Sequence, residues 1–380
     1  MKKVLILGVA SVQMDAINIL KGLGYETFAC AMAKDGPGAE SADHFEVINI
    51  LDIPRLIEYI QENNIDVVYS VGSDIAMPVA CKLSEELSLP HFVSSETATM
   101  CNNKGRMREA LGEKCEGNIP FQVIEDGEII PEIAMPYIMK PADSQGQRGI
   151  FLINSLQEYK DNFQIAKRYS RSGKVIVERY IKGPELSVNV YMVDGELKYI
   201  VASDRETWSE YTGLIHKHIV PTKNLKDEML DTLNNVVVDA CKRLGILNGP
   251  AYFQMKVEDG NPYIIEMTPR LDGCHMWKLL DHHTNVNLLK LTFEHLLNEN
   301  ISELNNLEVV DENSKQFGHE LEFFCQEPKT VMDQHKFSIP EGTLDHFFYY
   351  QTGDTIRPVN GKFDKVGYLI KQLEEKSLCE

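Results

Sequence analysis

No stretch of the 380-residue chain approaches the roughly 18 consecutive apolar residues that a membrane-spanning helix requires. The short apolar start Val4–Leu7 follows Met1-Lys2-Lys3 but soon meets Gln13 and Asp15, so it reads as a buried first strand and not as a leader. No Cys-x-x-Cys pair occurs among the eight cysteines, which excludes the common zinc frameworks and a dense disulfide scaffold. Free thiols and a cytoplasmic protein are the expectation. Basic residues are also short: 38 Lys plus Arg stand against 57 Asp plus Glu, a net charge of −19. A field of that sign repels nucleic-acid backbones, although a local basic pocket or Mg²⁺ still admits a small anion. Repeats, low-complexity linkers, a Gly-x-x-x-x-Gly-Lys-[Ser/Thr] loop and a Gly-x-Ser-x-Gly elbow are all missing.

What is present alternates. Apolar runs at Val4–Leu7, Thr27–Ala31, Val47–Ile50 and Val67–Ser70 are separated by helical stretches at 14–22 and 53–62, the pattern of a doubly wound parallel sheet. Gly8 and Gly72-Ser73-Asp74 fall at strand ends, where such sheets bind ligands. Gly8 is followed by Ala10 and Met14, not by the glycines of a dinucleotide fingerprint, so a nicotinamide enzyme is disfavoured. From about residue 96 the texture changes. A helix is expected over 103–111 and another over 227–244, ending at Gly245. Strands are expected at 137–139, 175–177 and 187–191, and a hairpin joins Tyr252–Val257 to Tyr263–Met267.

Three clusters carry chemistry. Strand 137–139 ends at Lys140, followed by a small polar loop, Ser144-Gln145-Gly146-Gln147-Arg148-Gly149, suited to letting backbone N–H groups approach phosphate oxygens. Next, Val175-Ile176-Val177-Glu178-Arg179-Tyr180-Ile181-Lys182-Gly183-Pro184-Glu185 sets one carboxylate on a strand and a second beyond a turn, able to meet a purine amino group and ribose hydroxyls. Third, Gln254 and Glu266 project from one face of the hairpin as oxygen ligands suited to Mg²⁺, with Thr268 and Arg270 just beyond.

In this order the motifs resemble the ATP-grasp superfamily over essentially the whole chain, in particular the stand-alone ligases related to carbamoyl-phosphate synthase large subunit, biotin carboxylase and phosphoribosylglycinamide synthetase. The resemblance implies an α/β and α+β architecture in three parts: an N-terminal doubly wound domain (1–95), a two-lobed ATP-grasp domain (96–315, flap lobe about 107–180) and a small C-terminal β-rich domain (316–380). It implies that Lys104 and Lys140 contact ATP phosphates beneath a flap at Ser144, Gln145, Gly146 and Gly149. Glu178 would meet the adenine amino group, with the Tyr180 and Ile181 backbone at the ring edge, and Glu185 the ribose. Gln254, Glu266 and Thr268 would hold Mg²⁺, or Mn²⁺ in its place, and Arg270 would face the transferred phosphoryl group. The implied reaction joins a small-molecule carboxylate to an amine through an acyl phosphate, and a homodimer is compatible with it. A bicarbonate-activating carboxylase and a non-catalytic ATP-binding protein are the alternatives within the fold. Relatives commonly carry Asn where this chain has Thr268, and Asp where it has Asn103.

Arg205, His218 and His275, with Glu206, His216 and Trp277, are candidates for the substrate side. His216 and His218 share a strand face, but no third ligand at a recognisable spacing supports zinc, so a structural or substrate-contacting role is expected. His282 and His283 are expected on a helix surface.

Overall fold

The computed structural model describes residues 1–143, 148–209, 214–298, 301–307, 317–357 and 363–373. The N-terminal sheet is parallel, in the order β3-β2-β1-β4, from β1 (Lys3–Leu7), β2 (Glu26–Ala31), β3 (His44–Val47) and β4 (Val67–Tyr69). Successive residues of β1 enter different cores: Val4 and Ile6 face one, Leu5 and Leu7 the other. Helices cover both faces, which is why β1 carries no polar alternation. The third strand lies at 44–47 instead of 47–50. It is an edge strand whose position is set by Asp43, which accepts from the Thr27 amide (3.0 Å), and by stacking of His44 on Phe28. Val47 is left exposed.

A second sheet, antiparallel and ordered β5-β8-β6-β7, is built from β5 (Phe121–Ile124), β6 (Tyr137–Pro141), β7 (Phe151–Ile153) and β8 (Val175–Arg179). The helix Leu156–Tyr169 packs Tyr159, Phe163 and Ala166 onto it, forming a small separate core.

The largest sheet has eight strands in the order β13-β12-β9-β10-β11-β14-β16-β15. They are β9 (Glu185–Val193), β10 (Glu196–Thr207), β11 (Ile215–Val220), β12 (Gly249–Glu258), β13 (Asn261–Thr268), β14 (His319–Gln326), β15 (Thr343–Phe348) and β16 (Asp364–Gln372). β14 pairs with β11, so the C-terminal strands extend the central sheet while keeping a minor core of their own around Phe324, Met332 and Ile356. The β12–β13 turn places Asp259 and Gly260 at positive φ (52° and 79°), the geometry that matches hairpin twist. Residues 227–244 divide into a 3₁₀ turn (Asp227–Met229) and an α-helix (Leu230–Arg243) that stops before Gly245.

No disulfide joins the described cysteines. Among the described residues no helix is long and apolar enough to cross a membrane. His282 is exposed as expected, but His283 is buried, its Nδ1 3.2 Å from Nδ1 of His319, because the helix Met276–Thr284 turns that side toward β14.

Candidate active site

Strand register assembles the site. Gln254 pairs directly with Glu266 across β12–β13, and with Ser187 across β12–β9. Ser187 pairs with Ser203 on β10, and Arg205, two residues along, pairs with His218 on β11. Side chains alternate along strands, so Glu266, Gln254, Glu185, Ser187, Ser203, Arg205 and His218 all lie on one face. They form a polar track running across the strands. Cross-strand hydrogen bonds confirm it: Gln254 Nε2 donates to Glu185 Oε2 (3.0 Å), Arg205 pairs with the same oxygen, and Ser203 Oγ lies 3.4 Å from His218 Nδ1.

At the β13 end, three cations and two carboxylates meet. Lys104 begins the helix Lys104–Leu111, and its amide donates to the Ala142 carbonyl (2.9 Å), tying that helix to the end of β6. Its ammonium lies 3.0 Å from Glu266. Lys140 closes on Glu178 Oε2 at 2.7 Å, and Arg108 Nε donates to Glu178 Oε1 at 2.9 Å. Burial alone would raise the Glu178 carboxyl, but Arg108 and Lys140 outweigh it and hold it at about 2. For Lys140, burial wins over Glu178 and lowers its pKa; for Lys104, burial is outweighed by Glu266 and the pKa is raised.

The two carboxylates differ in access. Only 4% of the Glu178 side chain is exposed against 46% of Glu266, so a solvent-borne ion can reach Glu266 and not Glu178. Gln254, by donating its amide nitrogen to Glu185, keeps its oxygen for another partner. The carboxylate–amide oxygen pair suits a hard divalent cation. Three cations against two carboxylates leave a positive excess inside a chain of charge −19, which suits a polyphosphate.

Arg270 sits on the far wall of the same cleft, which Asp74, Lys104, Tyr252, Glu266 and Thr268 also line. Its Nε donates to Asp74 Oδ1 at 2.8 Å and its Nη1 to the Leu271 carbonyl at 2.8 Å. Asp74 belongs to the loop after β4, so the N-terminal domain orients this guanidinium. The two backbones nearly touch: a Cβ on Gly72, whose φ is +68°, would lie 2.7 Å from Gly273 Cα. Only glycine permits that approach.

Several expected residues lie elsewhere or play other parts. Ser144, Gln145 and Gly146 lie outside the described residues. Gly149, at φ +73°, has Tyr169 within 2.8 Å of where a Cβ would stand. Asp143 anchors the base of the loop by accepting from the Arg171 and Ser172 amides (2.9 and 2.8 Å). Both Glu178 oxygens are taken up by cations, so this carboxylate immediately serves as their counter-ion. The Ile181 carbonyl accepts from Lys256 (3.4 Å), whose ammonium also lies over the Tyr180 ring. His275 is not on the polar track. Its Nδ1 meets Asp15 (2.8 Å) and its Nε2 meets Ser11 (3.2 Å), so the ring bolts the N-terminal helix Ser11–Gly22 to the segment after β13. His216 stacks on Trp208 and bonds Glu322, whereas His218 is fully buried and kept neutral by burial, with Arg205 adding to the shift. Arg108, Asp74 and Tyr252 were not among the expected site residues. Asp74 alone had a signal, its strand-end position.

Residues 133–277 match the family model of an ATP-grasp domain. The chain carries an ATP-grasp domain. The carbamoyl phosphate synthase large chain of Thermoanaerobacter pseudethanolicus is 22% identical over 306 residues, 79% of this chain and 27% of that one. The chain thus spans about a quarter of the length of that relative. Dapdiamide A synthase of Enterobacter agglomerans is 25% identical over 236 residues, 58% of this chain and 54% of the synthase. The crystal structure of L-amino acid ligase from Bacillus licheniformis superposes with a TM-score of 0.81 at 18% identity, covering 100% of this chain and 95% of that one. The fold of that ligase therefore extends over the whole chain, N-terminal sheet included.

Proposed function

We propose that this protein is an ATP- and Mg²⁺-dependent ligase that joins a carboxylate to an amine with release of ADP and phosphate. The observation carrying the reading is the convergence of Lys104, Glu266, Thr268 and Arg270 on one cleft, with Lys140, the ion-pair partner of Glu178, close enough for its charge to act on Glu266 as well. That two relatives are by name an L-amino acid ligase and a dapdiamide synthase supports it.

Lys104 and Lys140 would bind the phosphates, and the Ser144–Gly149 loop would cover them. The Tyr180–Ile181 backbone would meet the adenine edge, with Glu178 acting chiefly by setting Lys140 and Arg108. Both contacts to Glu185 use Oε2, which leaves Oε1 for the ribose. Glu266 and Gln254, with Thr268 beside them, would hold Mg²⁺, which supplies charge neutralisation between the phosphates. A substrate carboxylate oxygen attacks the γ-phosphorus and ADP leaves. The amine nitrogen then attacks the acyl carbon, and phosphate departs with that carboxylate oxygen as the nitrogen loses a proton. Positioning and charge stabilisation by Arg270 and the lysines suffice, since phosphoryl transfer asks little covalent chemistry of a protein. The division at 95 and 315 belongs to the same proposal.

The test is phosphate release from ATP and Mg²⁺ across carboxylates crossed with amines and amino acids, with bicarbonate as a separate arm. Release that requires both an organic acid and an amine, and vanishes in Glu266→Ala, supports the ligase. Release driven by bicarbonate alone moves the assignment to a carboxylase.

A further inference from the structure

At the far end of the polar track, His218, Asp272 and Cys274 bring an imidazole nitrogen, a carboxylate oxygen and a sulfur within 4.8 Å of one another. None belongs to the proposed Mg²⁺ pair, and their positions in the chain have no metal-motif spacing. Strand β11 supplies the histidine. The tight loop after Arg270 supplies the other two.

The hydrogen bonds leave lone pairs aimed inward. Ser203 Oγ has one proton for the Ser187 carbonyl (3.3 Å) and His218 Nδ1 (3.4 Å), and both contacts are satisfied only when it donates to the carbonyl and accepts from the ring. Nδ1 therefore carries the ring proton and Nε2 a lone pair. That Nε2 is buried and has no hydrogen-bond partner. Asp272 Oδ1 accepts from the Cys274 amide (3.1 Å), while Oδ2 is buried and unpartnered. His218 is 0% and Asp272 6% exposed, so water does not compensate them cheaply. Cys274 Sγ receives the Lys365 ammonium at 3.5 Å; burial raises this thiol, and the ammonium works against that rise.

We propose that His218 Nε2, Asp272 Oδ2 and Cys274 Sγ bind a zinc-type divalent cation. Nitrogen, oxygen and sulfur donors together select Zn²⁺ or Co²⁺ over Mg²⁺, which prefers oxygen alone. The hydrogen bond from Nδ1 to Ser203 is the outer contact that fixes a ligating imidazole. Ligand atoms of a tetrahedral site stand roughly 3.4–3.7 Å apart for bonds of about 2.0–2.3 Å. The cluster thus closes on the ion by about 1 Å. Three protein ligands leave the fourth position of a tetrahedral ion for another donor, and the nearby charges of Arg205 and Lys365 favour an anionic oxygen there. Its use for a substrate carboxylate rests on the ligase reading; the metal site does not.

The experiment uses the full-length, metal-stripped protein in excess Mg²⁺ without ATP or substrate. Co²⁺ is titrated by absorption, and bound Zn²⁺ is counted by elemental analysis after dialysis. The expected result is one ion per chain, with a thiolate-to-cobalt charge-transfer band. Cys274→Ser removes the band, and His218→Asn and Asp272→Asn each weaken binding by roughly tenfold or more. Glu266→Ala retains full binding, which separates this site from the Mg²⁺ pair. Circular dichroism confirms that each variant is folded. No stoichiometric ion, a band that survives Cys274→Ser, or binding lost in Glu266→Ala overturns the proposal. Displacement of Co²⁺ from the wild type by Mg²⁺ alone overturns it too.

Discussion

Glu178→Gln is the most informative single change, because it keeps the shape of a sealed side chain and removes only its charge. Two cations, Lys140 at 2.7 Å and Arg108 at 2.9 Å, lose their counter-ion where 4% or less of each side chain is exposed. The wild-type carboxyl is held at about 2 instead of 4.5. At about 1.4 kcal/mol per unit, that depression corresponds to about 3 kcal/mol of stabilisation. Breaking a buried pair typically costs about 3–5 kcal/mol, so both routes agree. The sign follows: the folded pKa lies below the unfolded one. The stabilisation is therefore complete above about pH 4.5 and is lost as pH falls toward 2. Urea denaturation of wild type and variant at neutral pH should differ by about 3 kcal/mol, narrowing as pH falls below about 4.5. Lys140, already lowered by burial, should lose its proton more readily without Glu178, so ATP affinity of the variant should decline as pH rises from neutral. A stability loss under about 1 kcal/mol, the size of an exposed pair, would refute the argument.

Arg270→Lys should retain ATP binding while turnover falls about 10²–10³-fold, because a point charge cannot reproduce a fork already oriented by Asp74; equal loss of both in calorimetry and steady-state kinetics would contradict this. Gly72→Ala, which adds a Cβ 2.7 Å from Gly273 at positive φ, should cost at least about 1–3 kcal/mol by thermal or urea unfolding. It should also lower turnover by moving Asp74 away from Arg270, so an unchanged melting curve would show that the backbones are not in contact. Lys104→Met should weaken ATP more than it weakens Mg²⁺ binding, since it leaves Glu266 without its 3.0 Å partner and frees that carboxylate for the metal; calorimetry with each ligand separates the two.

Local signals carried the parallel sheet, the β12–β13 hairpin and the Gln254–Glu266 pair, because strand alternation and the Asp259–Gly260 turn fix register over a few residues. Edge strand β3 pairs by backbone and leaves Val47 in solvent, so apolar content misplaces it. The Arg108–Glu178 ion pair joins residues 70 positions apart, and Asp74–Arg270 joins residues 196 apart; neither has a local pattern. His275 illustrates the converse. Its position after the Arg270 segment suggested substrate, but the fold spends both ring nitrogens on the helix Ser11–Gly22. His218 drew attention for its alternation with His216, while its partners Asp272 and Cys274 come from another strand's end, where spacing says nothing.

The acyl-phosphate step is tested most directly by isotope transfer. With the acid found in the substrate panel labelled with ¹⁸O in its carboxylate, the phosphate released alongside the amide is analysed by mass spectrometry. One labelled oxygen is expected in each phosphate, and none when Glu266→Ala replaces the wild type. Amide formed with unlabelled phosphate would contradict it.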